Sequence, residues 1–313
     1  MCGIVGYIGE KQAASVLIDT LSKLEYRGYD SAGIATLYEG QIHGGKDAGS
    51  LMEVVARQHL DMLPGTIGIG HTRWATHGGI SAANAHPHMD CDNEIAVVHN
   101  GIIDNYEILR QRLKGTHRFL SQTDSEVIPH LIDEYTKTGL SLEKAVQKVV
   151  RELQGSYAIL VISANEPDKI VGARRESPLV IGISPKGNYI ASDALSFHGI
   201  TSKVVLVEDG ECVVVTREKI SIYDAAGTEI KRAPIKTDWY HGELTKGLYD
   251  YFMLKEIHEQ PAAIKRALCQ EKAAVMEIAA EIRQAKHVVF TACGTSRHAA
   301  LIGRYAFSKV AGI

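Results

Sequence analysis

Cysteine is scarce in this chain: five residues in 313, at positions 2, 91, 212, 269 and 293. They are odd in number and never form a C-x-x-C pair, which excludes a disulfide framework and fits reduced thiols in the cytosol. Long apolar runs are missing too, and none reaches the roughly 18 residues that a bilayer demands. No basic segment precedes Ile4, and Gly9–Glu10 breaks the first apolar stretch, so no secretory leader is read here. Charge of one sign is absent as well. Lys and Arg number 34 against 37 Asp and Glu, leaving −3, too little to recruit nucleic acid or anionic lipid. Low-complexity segments and internal repeats are not found. These absences predict a cytoplasmic protein with neither nucleic acid nor membrane as a partner.

What is present suits a globular core. Hydrophobic residues make up 45% and charged residues 23%, ordinary for a folded protein of one large domain or two smaller ones. Strands are predicted at 2–8, 66–71, 94–99, 156–163, 169–173, 178–183, 188–192, 203–207, 211–216 and 219–223. Helices are predicted at 11–25, 105–114, 124–137 and 141–153, the third capped by Thr123 or Asp124 ahead of Glu126. Many strands, two helical blocks and no strict alternation argue α+β, with largely antiparallel sheets and outer helices.

Beyond residue 223 the texture turns polar and rich in turns, like a linker, and then helical, with an interruption at Pro261. Residues 286–313 read as strand HVVFTA, turn CGTS and one helix. One strand and one helix close no core of their own, so this stretch is expected to be the start of an incomplete domain.

Several short stretches carry chemistry. Cys2, in MCGIVGYIGE, fits a small hydrophobe in a buried strand. It equally fits a first residue exposed by removal of Met1, whose free α-amine could take the thiol proton. LEYRGYDSAGIA (24–35) reads as a loop in which Arg27 either pairs at the surface or orders a site. In HTRWATHGG (71–79), Arg73 offers a planar fork for a carboxylate, and Trp74, Thr76 and His77 sit in a glycine-ended loop able to close over a ligand. The histidines of NAHPHMDC, with His71 and His77 upstream, match no usual zinc spacing, so no metal is assigned. In VVHNG, Asn100 and Gly101 close a strand and could aim two donors at one oxyanion. Asp124, in SQTDSE, serves as a helix cap or as a partner for an ammonium.

In this order over residues 1–133, these motifs together resemble the class II (N-terminal nucleophile) glutamine amidotransferases. RESPLVIG, IASDAL, FMLKEIHEQP and ACGTS are similar to the glutamine–fructose-6-phosphate aminotransferase branch of that group. The resemblance implies a four-layer α/β/β/α sandwich over residues 2–222. It then implies a linker with helices over 223–285 and an incomplete α/β sugar-isomerase domain over 286–313. Under it, Cys2 attacks the glutamine side-chain amide, and Asn100 and Gly101 hold the oxyanion. Arg73 and Asp124 hold the α-carboxylate and α-ammonium. Trp74, Thr76 and His77 shape the pocket, and Arg27 orders it. Cys293, Gly294, Thr295 and Ser296 correspond to part of a sugar-phosphate loop. No cofactor is implied, L-glutamine is the substrate, and the full-length family is expected to be homodimeric. Fructose 6-phosphate would be converted to glucosamine 6-phosphate only with the missing isomerase part supplied. A glutaminase serving a phosphoribosyl acceptor, and a catalytically silent interaction module, are the competing readings.

Overall fold

The computed structural model describes residues 2–237, 248–249 and 252–312, apart from the side chains of Arg27 and Phe252. It divides into two units, Met1–Thr245 and Lys246–Ile313.

The first unit contains strands β1 (Gly3–Gly9), β2 (Ser31–Tyr38), β3 (Gln41–Ala48), β4 (Ile67–Arg73) and β5 (His88–Met89). It continues with β6 (Ile95–Ile103), β7 (Gly155–Ser163), β8 (Glu166–Arg175), β9 (Val180–Ser184) and β10 (Gly187–Ala191). The last are β11 (Lys203–Leu206), β12 (Cys212–Thr216), β13 (Ile220–Tyr223), β14 (Glu229–Ile230) and β15 (Ile235–Lys236). One sheet runs β15-β11-β9-β10-β1-β4-β2-β3 and the other β14-β13-β12-β8-β7-β6-β5. The paired strands in both are antiparallel.

Three apolar clusters fill the spaces between layers, and β1 shows how one strand serves two of them. All seven of its residues are buried. Ile4 and Ile8 pack with Val98, Leu160 and Ile170 of the opposite sheet. Val5 and Tyr7 face the other way, onto Leu17 and Leu21 of helix α1 (Ala13–Ser22) and Leu51 of α2 (Leu51–Gln58). That is the period of two along a pleated strand. The third cluster sets Val97, Ile159 and Val161 against helices α3 (Tyr106–Leu113), α4 (Val127–Lys137) and α5 (Leu142–Glu152). The order is therefore helix, sheet, sheet, helix, the four-layer α+β sandwich anticipated above. Gly6 permits the close approach of the sheets: a Cβ there would lie 2.9 Å from Leu160 Cδ1.

Several sequence expectations need correction. LEYRGYDSAGIA is a loop only in its first half, for Ser31 begins β2 between β3 and β4. Its small residues are a packing requirement, since a Cβ on Gly33 would fall 2.2 Å from the His86 carbonyl oxygen. The strand expected to end at His99 continues to Ile103, because β7 pairs with it as far as Gly155. Neither Thr123 nor Asp124 caps α4, which starts at Val127 after Glu126. Strand β3 and helix α2 were not anticipated; β3 is half-exposed and contains two glycines, which weakens its alternation.

The second unit holds α6 (Phe252–Leu268), α7 (Lys272–Gln284) and α8 (Gly294–Ala306). Helix α6 runs through Pro261 without the expected break. A proline removes one backbone donor, and this exposed helix tolerates the loss. HVVFTA forms no strand, since the unit presents no neighbouring strand among the described residues to take its backbone hydrogen bonds.

Leu160 is fully buried between the sheets. Leu160→Ala is expected to destabilise the first unit by about 2–5 kcal/mol, read as a lower denaturant midpoint with an unchanged slope. A loss below about 1 kcal/mol would mean that the sheets are not closely packed there.

Candidate active site

A cavity of about 250 Å³ opens where the ends of β1, β4 and β6 converge, lined by Cys2, Arg73, Trp74, Thr76, Asn100, Gly101 and Asp124, among others. Register brings the first two together. Gly3 pairs with Thr72 across β1 and β4, so Cys2 falls beside the end of β4. The Trp74 N–H donates to Cys2 Sγ at 3.2 Å, and the thiol lies 3.5 Å from the Trp74 carbonyl oxygen. Burial pushes the thiol pKa up, while the Trp74 N–H and the Arg73 charge pull the other way. A thiol held protonated near neutral pH needs a base at the moment of attack.

Asp30 and Gly28 hold the chain after β4 in place. The Asp30 carboxylate accepts the Ala75 N–H at 2.9 Å, and its own N–H donates to the Arg73 carbonyl. A Cβ on Gly28 would lie 2.8 Å from backbone atoms of both Arg73 and Trp74. Arg27 ends the short turn Glu25–Arg27 just before this contact, but its side chain lies outside the described residues.

Arg73 is 4% exposed. Its guanidinium donates to the carbonyls of His77 and Gly79, the latter at 3.3 Å, which folds the 74–79 loop around it. Among the described residues no carboxylate pairs with it at ion-pair distance. A buried cation of this kind has spare attraction for an anion. Asp124 is also buried, with one oxygen accepting the Ile103 N–H at 2.8 Å. Trp74 stands half-exposed, its ring edge-on to Tyr29 at 5.8 Å. His77 is edge-on to Tyr106 at 5.8 Å and is not among the residues that line the cavity.

Asn100 and Gly101 lie inside β6 rather than past its end. The Asn100 amide donates to the Cys2 carbonyl at 3.0 Å. Gly101 has φ +130°, and a Cβ there would sit 2.0 Å from the Ser156 carbonyl oxygen, so this backbone shape requires glycine.

Buried histidines form part of the cavity wall: His71, His86 and His99 line it, and His88 is buried beside them. His71 stacks on His86 at 4.2 Å, and His86 meets His88 edge-on at 4.5 Å. His86 Nδ1 accepts the His99 N–H at 3.2 Å, His88 Nε2 lies 3.0 Å from the Thr123 hydroxyl, and His99 Nδ1 lies 2.8 Å from Ser125 Oγ. These contacts run to neighbouring groups, while His71 Nδ1 and His99 Nε2 are buried with no hydrogen-bond partner among the described residues. The only signal in the sequence was the density of histidines, which had been weighed for zinc. Glu126 sets the turn bearing Asp124 by accepting the N–H groups of Leu120 and Ser121 at 2.6 and 2.7 Å.

Cys293, Gly294, Thr295 and Ser296 belong to the second unit. Cys293 precedes α8 as its cap residue without a side-chain hydrogen bond, and all four are exposed.

A family model described as "Glutamine amidotransferase domain" matches residues 71–198. The chain is 47% identical, over its whole length, to the glutamine–fructose-6-phosphate aminotransferase (isomerizing) of Methanothermobacter thermautotrophicus, covering 53% of that protein. It is 45% identical to the enzyme of that name from Pyrococcus horikoshii, over 99% of this chain and 52% of the relative. The chain therefore spans about half the length of the curated relatives it matches. Among solved structures, the glutamine phosphoribosylpyrophosphate amidotransferase of B. subtilis superposes with a TM-score of 0.63 and 27% identity, over 73% of this chain and 50% of that one. No helix among the described residues is long and apolar enough to cross a membrane.

The histidines make the stability of this unit sensitive to acid. Burial lowers the pKa of His71 from 6.5 to about 3, against the opposing hydrogen bonds to Asn100 and the His99 carbonyl. His86 and His88 are lowered in the same direction, also by burial. Between pH about 6.5 and about 3 the unfolded chain binds protons that the folded chain refuses. Stability is thus complete above pH 6.5 and falls as pH drops, by up to about 1.4 kcal/mol per pH unit for each such histidine. Denaturant titrations from pH 7 to pH 4 are expected to show this slope, shallower in a His71→Gln variant. A flat profile would mean that these rings are accessible to protons.

Proposed function

Because the chain belongs to the glutamine–fructose-6-phosphate aminotransferase family, within the class II glutamine amidotransferases, we propose that this pocket hydrolyses the side-chain amide of L-glutamine at Cys2. The observation that carries the reading is a buried arginine without a carboxylate partner among the described residues, sharing one cavity with a thiol, a strand-borne amide and a buried aspartate.

Arg73 pairs with the α-carboxylate of glutamine through its planar fork, released from the carbonyls of His77 and Gly79 when substrate arrives. Asp124 takes the α-ammonium. These two charges fix the zwitterionic end and leave the side-chain amide over Cys2. Removal of Met1 frees the Cys2 α-amine, which accepts the thiol proton as Sγ attacks the amide carbon. The carbonyl oxygen gains the negative charge, and the Asn100 amide and Gly101 N–H stabilise it. As the tetrahedral intermediate collapses, the C–N bond breaks, the amine returns its proton to the leaving nitrogen, and ammonia departs. A thioester remains on Sγ. Water then adds to its carbonyl, the C–S bond breaks, and glutamate is released. Trp74, Thr76 and His77 form the cover that keeps bulk water from the ammonia, and Arg27 would order the site.

In the second unit, Cys293–Ser296 would form part of a sugar-phosphate loop at the start of a sugar-isomerase domain, with 223–285 as the connecting linker. Transfer of ammonia to fructose 6-phosphate, giving glucosamine 6-phosphate, belongs to the whole protein of which this chain would be the glutaminase part. The higher identity to the fructose-6-phosphate enzymes than to the phosphoribosyl enzyme supports that acceptor. A homodimer and a cytoplasmic location accord with this reading.

The purified chain is expected to release glutamate from glutamine, and Cys2→Ala to lose that activity by about 10³-fold or more. Arg73→Gln is expected to raise KM about 100-fold with a smaller change in kcat, since a clamp on the substrate end contributes mainly to binding. Intact mass spectrometry checks the maturation step. An active chain that retains Met1, or a Cys2→Ala variant as fast as the parent, would overturn the mechanism.

A further inference from the structure

We propose that His71 is a positioning residue that holds the Asn100 side-chain amide with its NH2 group towards Cys2; the inference rests on the reading of Asn100 as an oxyanion donor. An asparagine amide is a rotor with a donor at one end and an acceptor at the other. A flip would aim its carbonyl oxygen at the developing negative charge and turn stabilisation into repulsion. Something must therefore choose the orientation.

The choice follows from one carbonyl group. His71, on β4, places Nε2 3.1 Å from the His99 carbonyl oxygen and 3.0 Å from Asn100 Oδ1, both on β6 in the opposite sheet. A backbone carbonyl can only accept, so Nε2 must carry the proton. That proton is shared with Asn100, whose side-chain oxygen must then face His71. At the other end of the amide, Nδ2 donates to the Cys2 carbonyl at 3.0 Å. The flipped amide would set two donors against each other at His71 and two acceptors at Cys2. Both neighbours select one state.

The ring that makes the choice is itself held. His71 is fully buried and stacked on His86 with an interplanar angle of 15°. His86 in turn accepts the His99 N–H at 3.2 Å, fixing the residue whose carbonyl sets the tautomer. Nδ1 of His71 is buried without a partner among the described residues, and burial keeps the ring neutral. A cationic His71 would gain a second donor with nothing to receive it.

Five proteins test this: the parent chain, His71→Leu, His71→Gln, Asn100→Ala, and His71→Leu combined with Asn100→Ala. Loss of one oxyanion donor costs about 10²–10³ in kcat. His71→Leu, which removes one of the two contacts that select the amide's orientation, is expected to lower kcat for glutamine hydrolysis by about 10- to 100-fold, with KM changed less than about threefold. His71→Gln, which keeps an N–H donor near the same place, is expected to recover most of that loss. In the Asn100→Ala background, His71→Leu should add little, because the two act as one unit. A loss that falls on KM, or that multiplies with Asn100→Ala, overturns the proposal. Imidazole nitrogen NMR on the parent gives a reading independent of activity and of how the variants fold. His71 should be neutral and protonated at Nε2 at pH 7, and an Nδ1–H tautomer overturns the proposal. An active parent with an indifferent His71→Leu sinks this inference alone. A parent as inactive as Cys2→Ala sinks the glutaminase reading and this inference with it.

Discussion

The antiparallel register between β1 and β4 governs the rest of the pocket. With Gly3 opposite Thr72 and Val5 opposite Gly70, Cys2 is set beside Arg73 and Trp74. A slip of one residue would turn Ile4 and Ile8 away from the opposite sheet and carry Cys2 off the end of β4. Register is strongly specified here because β1 is buried on both faces, with different side chains serving each. The same apolar packing that stabilises the sandwich thus sets the distance between the thiol and the cation. Gly6 of β1 lets the two sheets come close, against Leu160 and Ile170, whereas Gly68 and Gly70 of β4 make room for Leu17 and Leu21 of α1.

The site is assembled at the junction of two sheets, and its parts divide along that line. The thiol and the arginine come from one sheet, and the amide and the loop carrying the aspartate from the other. His71 and His86 connect them through nitrogens already committed to backbone and side-chain groups. Neutral imidazoles suit this position. They offer one donor and one acceptor in a rigid plane, stack on one another, and carry no charge that would compete with Arg73 for an anion. Their cost is sensitivity to acid, since a ring that is buried and neutral at pH 7 resists protonation only at the expense of the fold.

Much of the architecture was legible in the chain. Aliphatic strands such as SYAILVIS and the periodic helices 105–114 and 141–153 announce themselves, because burial on a strand or a helix imposes periods of two or 3.6. Less legible were β2 and β3, whose small residues satisfy neighbours distant in sequence, and the continuation of β6 past Asn100. Of the two readings of Asp124, the helix cap fails, because local composition cannot show that Glu126 ties that turn to the backbone of Leu120 and Ser121. The same limit applied to HVVFTA, which has the composition of a strand but no strand beside it among the described residues.

Residue types at the candidate site were determined by the sequence itself: a cysteine behind the first methionine, an arginine after a β run, Asn-Gly, and an aspartate in a polar turn. These identities carry the chemistry, since a thiol, a guanidinium, an amide and a carboxylate keep their functions in any fold. Only the tertiary structure decided that they share one cavity and that Arg73 is buried without a carboxylate partner among the described residues. It alone decided which end of the Asn100 amide faces Cys2. That last choice depends on a proton shared between β4 and β6, strands separated by 21 residues of loop and short strand. No local pattern encodes it, because hydrogen-bond direction at an amide is set by whatever packs against it from elsewhere in the chain.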